Sequence, residues 1–401
     1  MKNNNLIKKF TSSKTKSLYI FVLMKNFPKK LQQKLEERIK ENALRKLGTN
    51  MGIVDFSSND YLGFSKNETI FKYTHEFLLG HNLKKNGSTG SRLLSGNHAL
   101  YQIVESAIAS FHKSESALIY NSGYDANMGF FGSVPQRGDL ILYDEYVHAS
   151  IRDGIGMNNT KAYKFRHNDL ESLEEMLERF EQDNVYVVTE SVFSMDGDSP
   201  DLKKLVDICK KQKAFLVVDE AHAVGVFGKR GEGLVQELGL EKDVFARIIT
   251  FGKAIGCHGA AVLGNDTLKQ YLINFSRSFI YTTALPPHSL ATIHSAYNEL
   301  LLTHNINRLH QNIQFFKKEA ENNGLKNIFI ESNSSIHCCV ISCNERVKMI
   351  SQKLQEHNFD VKAILSPTVP KNEERLRFCL HSYNTQEEIS EVLKLLPTFV
   401  V

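Results

Sequence analysis

No apolar run in the 401-residue sequence approaches the ~18–20 residues that a membrane-crossing helix needs, which excludes a transmembrane span. Low-complexity tracts and short internal repeats are also missing, which excludes solenoids and linker arrays. Six cysteines are present (Cys209, Cys257, Cys338, Cys339, Cys343 and Cys379), with no CxxC spacing. Most lie in apolar stretches such as 336–343, where cysteine acts as a small hydrophobe. This argues against a disulfide scaffold or a zinc site and for a reducing cytoplasm. An excess of one charge is lacking too. The formal net charge is +4, but residues 1–23 hold five of the 49 Lys and Arg and none of the 45 Asp and Glu. The remaining body is one charge from neutral, which is not how a nucleic-acid binder reads.

Residues 1–23 combine Lys, Asn, Ser and Thr and end in the six-residue apolar stretch 18–23. That stretch is shorter than the ~7–15 residues of a secretory core, and no small-residue cleavage site follows. With no Arg, a transit peptide fits poorly. The reading is a structureless extension, with translation starting at Met24. From there, Asn26 can cap a helix and Pro28 suits its first turn. Leu31, Leu35, Ile39, Ala43 and Leu47 recur every four residues, predicting an amphipathic helix lying on a larger body, ended by Gly48.

Beyond about residue 75, short apolar runs alternate with helix-length segments: 117–120, 140–143, 185–188, 215–218 and 248–250. Apolar on both faces, they predict buried parallel strands of an α/β sheet. Pro286-Pro287 then breaks the chain. A long helical stretch to about 323, an apolar run at 336–342, a helix over 346–357 and a run at 376–380 predict a smaller α+β domain. The expected organisation is an arm over 24–74, a large domain over 75–285 and a small C-terminal domain over 286–401.

Ligands of such sheets sit at the carboxyl ends of the strands. The polar residues there include Ser122-Gly123-Tyr124, His148, Ser194, Asp219, His222 and Thr250 with Lys253. Asp219-Glu220-Ala221-His222 after an apolar strand also resembles the magnesium strand of a nucleotide hydrolase, but no GxxxxGK[ST] loop accompanies it. The glycine-rich segments 86–91 and 225–233 do not fit GxGxxG after a strand. A lone loop lysine is usually solvated and a lone histidine usually structural. Asp219, His222 and Lys253 on successive strand ends are a different matter. A lysine to condense with an aldehyde, an acid for a pyridine nitrogen, and hydroxyls and amides for a phosphate are what pyridoxal 5'-phosphate demands.

With those residues in view, the chain resembles the α-oxoamine synthases, pyridoxal phosphate enzymes of fold type I. Matching stretches are 58–63, 87–96, 122–124, 148–150, 193–198, 219–222, 250–253, 281–283, 367–370 and 375–377, in unbroken order over about 25–395. The resemblance implies a mainly parallel sheet in a large domain with a smaller α+β domain. It implies that Lys253 holds the cofactor and moves the substrate's α-proton, and that Asp219 pairs with the pyridine nitrogen. His148 and Ala221 would cover the two ring faces. His222 and Ser194 would meet the phenolic oxygen. Gly123, Tyr124 and Thr250 would hold the phosphate, and Thr282 and Thr283 would reach the neighbouring subunit's phosphate in a homodimer. Arg377 would bind the amino-acid carboxylate, and Arg45, Asn59, Ser88 and Thr368 match substrate-contacting positions.

The implied reaction joins an amino acid to an acyl-CoA with loss of CO₂. The branch matched best uses L-alanine and a pimeloyl thioester in biotin biosynthesis; sister branches use glycine or serine with other acyl groups. A silent member acting as a binding partner is a third possibility, opposed by the presence of Lys253. Two stretches depart from that branch. Leu365 stands where an arginine is common, with Arg45, Arg92 or Lys362 as substitute cations. Ser382-Tyr383-Asn384 stands where the family has Ala-Ala-His.

Overall fold

Each of the five apolar runs falls inside a strand of one sheet. The computed structural model describes residues 27–45, 47, 52–180, 182 and 184–400. The strands are β1 (Ser116–Tyr120), β2 (Leu140–Asp144), β3 (Lys161–Phe165), β4 (Val185–Glu190), β5 (Phe215–Asp219), β6 (Ala246–Thr250) and β7 (Ala260–Gly264). Among the described residues they form a seven-stranded sheet in the order β1-β7-β6-β5-β4-β2-β3. All neighbours pair in parallel except β7, which is antiparallel to both β1 and β6. Every residue of β1, β4 and β6 is buried, as two covered faces require. Each such Val, Ile or Leu contributes about 1.5–3 kcal/mol by leaving water. β3 is an edge strand, largely exposed, and its Lys-Ala-Tyr-Lys-Phe sequence carries no apolar run to announce it. β7 reads Ala-Ala-Val-Leu-Gly, a buried four-residue apolar run too short to be told from its surroundings by sequence.

Because β7 alone runs against the others, the carboxyl ends of the remaining strands share one edge. Helices α2 (Gly123–Phe131) and α3 (Ala149–Gly156) begin at that edge, after β1 and β2. The long helical stretch is two helices, α4 (Pro287–Leu302) and α5 (Asn305–Asn322), divided at Thr303-His304. A three-stranded antiparallel sheet follows, β9 (Lys362–Ile364), β10 (Arg375–Cys379) and β8 (Ile336–Val340), with helices α6 (Asn344–Glu356) and α7 (Gln386–Val400). Among the described residues, no helix is long and apolar enough to cross a membrane.

The N-terminal arm departs from expectation. Helix α1 covers Lys29–Lys40 and stops seven residues before Leu47. Asn42 adopts φ 50°, and the Ala43 and Asn42 amides bond back to the Arg38 and Ile39 carbonyls. That is a left-handed helix stop, with asparagine in the glycine role. Nor does α1 bury its apolar face: Leu31, Leu35 and Ile39 all stay exposed, and the first buried side chain of the arm is Ala43. The predicted 1–23 extension, the Met24 start, the Asn26 cap and the Gly48 stop lie outside the described residues.

Candidate active site

The shared strand edge gathers Asp219 from the end of β5, His222 three residues on, Thr250 from the end of β6 and Lys253 just past it. Lys253 is half-buried, and its amine lies 2.6 Å from His222 Nε2. Tyr61 Oη lies 2.8 Å from His222 Nδ1 and donates to Asn59 Oδ1 at 3.1 Å, and Arg377 Nη2 donates to the same oxygen at 3.1 Å. An ammonium can only donate, so His222 Nε2 accepts from Lys253 and Nδ1–H donates to Tyr61. Burial, then the charges of Lys253 and Arg377, hold the His222 imidazole neutral, as this chain of bonds requires. Burial also pulls the Lys253 amine down to about 8, against the raising pull of Asp219 and Glu190.

Asp219 is 5% exposed. One carboxylate oxygen accepts from the Ala221 amide and the other from Asn127 Nδ2, both at 2.9 Å. Asn127 also reaches Ser150 Oγ, which sits 2.7 Å from His148 Nδ1. The Ser150 amide donates to that same nitrogen, so His148 carries its proton on Nε2. The His148 amide is held by Glu190 Oε1 at 2.5 Å. Burial and the neighbouring Asp219 push the Glu190 carboxyl well above the ordinary carboxylate range.

A second cluster lies at the start of α2. Ser122 caps this helix by accepting from the Asp125 amide, which leaves the first-turn amides aimed outward. A Cβ added to Gly123 would stand 3.7 Å from the Thr250 hydroxyl. Helix amides, a glycine and a hydroxyl make an anion cradle. Thr282 Oγ1 and the Thr283 carbonyl both accept from Asn121 Nδ2, at 3.0 and 2.7 Å, beside this cradle and in the same chain. Tyr124 donates to Asp153.

The two arginines of Arg375-Leu376-Arg377 have opposite fates. Arg375 is neutralised by Asp196 and Glu373. Arg377, equally buried, bonds the Ser194 carbonyl, Cys379 Sγ and Asn59, and forms no ion pair among the described residues. It is a buried cation facing the lysine cluster with no anion of its own. Arg45 meets Thr368 across 323 positions of chain, at 3.4 Å. Ser88 donates to the Leu285 carbonyl at 2.6 Å.

The class I and II aminotransferase family model matches residues 52–396. An 8-amino-7-oxononanoate synthase of Emericella nidulans is 41% identical over 373 residues, covering 86% of this chain and 89% of that protein. The solved 8-amino-7-oxononanoate synthase of Francisella tularensis superposes with a TM-score of 0.74 at 30% identity, over 87% of this chain and 98% of that one. A variant serine palmitoyltransferase of S. paucimobilis, solved with PLP and myriocin bound, gives a TM-score of 0.84 at 26% identity, over 94% and 98% of the two chains.

The chain belongs to the class I and II aminotransferase family, as an α-oxoamine synthase. Its cofactor is pyridoxal 5'-phosphate, and the residues present fit that group. Asp219 is a buried carboxylate with no cation in ion-pair contact among the described residues, as a pyridinium partner must be. Lys253 is a half-buried amine whose pKa desolvation lowers, and the anion cradle lies on the same sheet edge. The DEAH stretch has no metal role here. Glu220 is wholly buried and bound to Arg247 at 2.6 Å, and it also accepts from the Val235 amide.

Four further residues meet at this α-oxoamine synthase site without a sequence signal of their own: Tyr61, Asn127, Ser150 and Glu190. Tyr61 and Ser150 lay inside stretches already singled out, and Glu190 ends β4 beside Asp219. Their only mark was position at a strand end or in a motif, without a chemistry that composition alone reveals. The departures from the family pattern fall on packing. Leu365 packs against the main hydrophobic core. Tyr383 bonds the Asp55 carboxylate, and Asn384 bonds the Asp55 carbonyl.

Proposed function

We propose that the chain condenses L-alanine with a pimeloyl thioester, giving 8-amino-7-oxononanoate, CO₂ and the free thiol, a step of biotin biosynthesis. A carbon–carbon bond forms between the alanine α-carbon and the acyl carbonyl carbon, and the C–S and C–carboxylate bonds break. A proton returns to the α-carbon. The observation that carries the reading is Arg377, a buried cation without an anion, linked through Asn59, Tyr61 and His222 to Lys253. The relatives' names agree with it.

In this reading Lys253, Asp219, His148, Ala221, His222 and Ser194 hold the pyridoxal group, and Gly123, Tyr124 and Thr250 hold its phosphate. When bound, the cofactor supplies an electron sink that stabilises negative charge at the substrate α-carbon. Arg377 and Asn59 bind the amino-acid carboxylate and orient the α-hydrogen towards Lys253. Lys253 Nζ takes that proton and returns it. His222, held neutral and oriented by Tyr61, accepts from the amine and keeps it aimed. Asp219, held by Asn127 and the Ala221 amide, would pair with the ring nitrogen and keep its proton there.

The far carboxylate of a pimeloyl group needs a cation, and Leu365 is not one. Of the three candidates, Lys362 is bound to Asp360 at 2.9 Å and Arg92 to Glu105 at 2.5 Å. Arg45 alone of the three has no acidic partner among the described residues, and Thr368 beside it offers a hydroxyl. We assign the acyl terminus to this pair. The serine palmitoyltransferase likeness supports a second reading, serine with a long acyl thioester. Purified enzyme given each amino acid and each acyl-CoA separates the two. Thiol release with L-alanine and pimeloyl-CoA supports the first, and release only with L-serine and a long acyl-CoA replaces it.

A homodimer belongs to the same proposal. Leu93 and Leu94 are 50% and 84% exposed and Tyr281 is 74% exposed, on segments joined by the Ala284 amide to Gly90 carbonyl bond. This apolar patch borders Thr282, Thr283 and the anion cradle. A second copy covering it brings the active site to the subunit interface. The six free cysteines suit a reducing cytoplasm.

A further inference from the structure

The arm after α1 and the loop before β10 meet at Arg45 and Thr368. One side chain of α6 touches both segments. Asn344, the first residue of α6, donates from Nδ2 to the Glu41 carbonyl at 3.3 Å and accepts at Oδ1 from the Ser366 amide at 3.0 Å. Glu41 lies four residues before Arg45, and Ser366 two before Thr368. One turn along α6, Lys348 donates to the Asn42 carbonyl and, at 3.0 Å, to Asn42 Oδ1.

The backbone gives Asn344 a fixed origin. Ser342 and Cys343 hold φ of 63° and 69°, a region that side-chain-bearing residues rarely enter unless their surroundings impose it. Glu374 imposes it here. Its carbonyl accepts from the Ile341 and Ser342 amides, and its carboxylate accepts from the Cys343 amide at 2.8 Å. The turn makes no side-chain cap for α6. The Asn344 amide is spent on the arm and the loop. A primary amide suits this bridge because it presents a donor and an acceptor in one planar group.

We propose that Asn344 is a positioning residue for acyl-chain recognition, joining Arg45 and Thr368 into one clamp on the far end of the acyl group. The proposal rests on the assignment of the acyl terminus to Arg45 and Thr368, and adds what holds that pair together. The Asn344 amide bonds the arm and the loop and none of the residues of the lysine cluster described above, so its loss should spare the amino-acid half of the reaction.

The test is steady-state kinetics of the cofactor-loaded full chain with L-alanine and pimeloyl-CoA. Asn344→Ala is expected to raise KM for the acyl thioester about three- to tenfold, as loss of one or two ordinary hydrogen bonds gives. The KM for L-alanine and the cofactor's visible spectrum should stay as in the wild type. Asn344→Asp keeps the acceptor for Ser366 and loses the donor to Glu41, and should fall between. In an Arg45→Ala background, Asn344→Ala should add less than twofold, because coupled residues are not additive. Lys348→Met, which removes the hydrogen bonds to Asn42, should raise the same KM and serves if Asn344→Ala folds poorly. An equal loss in both KM values, or full multiplication with Arg45→Ala, overturns the clamp. Wild-type silence towards pimeloyl-CoA would instead remove the functional reading. The same coupling, measured with the acyl thioester that is turned over, then decides the clamp by itself.

Discussion

At the scale of single residues, the site is a set of buried and half-buried polar groups around the exposed His148, each made usable by a neighbour. Lys253 is the clearest case. Only the neutral amine attacks an aldehyde, and burial brings its pKa to about 8. Capture of pyridoxal phosphate by the cofactor-free chain should therefore speed up as pH rises through about 8, then level off. Stopped-flow absorbance checks this, and a pH-independent rate would contradict it. Lys253→Ala should leave no pyridoxyl group on the chain after borohydride reduction, read by mass. Asp219→Asn should lower turnover on the order of 10²-fold while still binding cofactor, since one preorganised electrostatic partner is lost. Near-normal turnover would remove Asp219 from its role. Lys253, Asp219, His222 and His148 can be proposed from sequence because each chemistry has few residue types able to perform it, and the structure brings them to one strand edge. Tyr61 and Glu190 cannot, because a tyrosine or glutamate becomes a positioning group only through what it touches.

At the scale of elements, two charge clusters, one buried and one half-buried, hold the strand ends in place. Arg247 on β6 bonds Glu220 and the carbonyls of His112 and Glu232. Arg247→Met strands the Glu220 carboxylate and should cost about 3–5 kcal/mol of unfolding free energy, measured in denaturant. His167 bridges Asp144 at the end of β2 and Asp198 in the loop after β4, at 2.9 Å to each. Burial opposes its charge, but the two carboxylates raise it to about 9. Between the ordinary histidine pKa of about 6.5 and 9, the folded state holds a proton that the unfolded state has lost. This contribution to stability is thus full below about pH 6.5 and fades as pH rises towards 9. His167→Gln should flatten that slope in thermal melts at pH 6 to 9. An unchanged slope would show that the charge on His167 is not the cause. The strands bearing these groups were legible from apolar runs. β3 and β7 were not, since an edge strand can be polar and a four-residue apolar run has no distinctive period.

At the scale of the whole molecule, apolar surface remains on α1 and around Leu93, Leu94 and Tyr281. Leu94→Asp should weaken self-association and lower activity in proportion to the monomer fraction. Sedimentation at several concentrations, with activity measured in parallel, tests this. Full activity in a monomeric variant would place the site within one chain. The arm shows the limit of periodicity. The four-residue spacing from Leu31 to Leu47 reads as one helix, but the Asn42 turn ends α1 at Lys40, and Arg45 is thereby carried to Thr368.

By itself, the amino-acid order determined the alternation of buried strands and helices, and the residues at the strand ends. Both are properties of short segments: hydrophobic periodicity and side-chain chemistry. Only the tertiary structure decided which arginine stays unpaired, that Leu365 faces the core, and that Asn344 bridges two segments hundreds of positions apart. Those outcomes depend on which charges and hydrogen-bonding groups come within a few ångströms of each other, which no local pattern encodes.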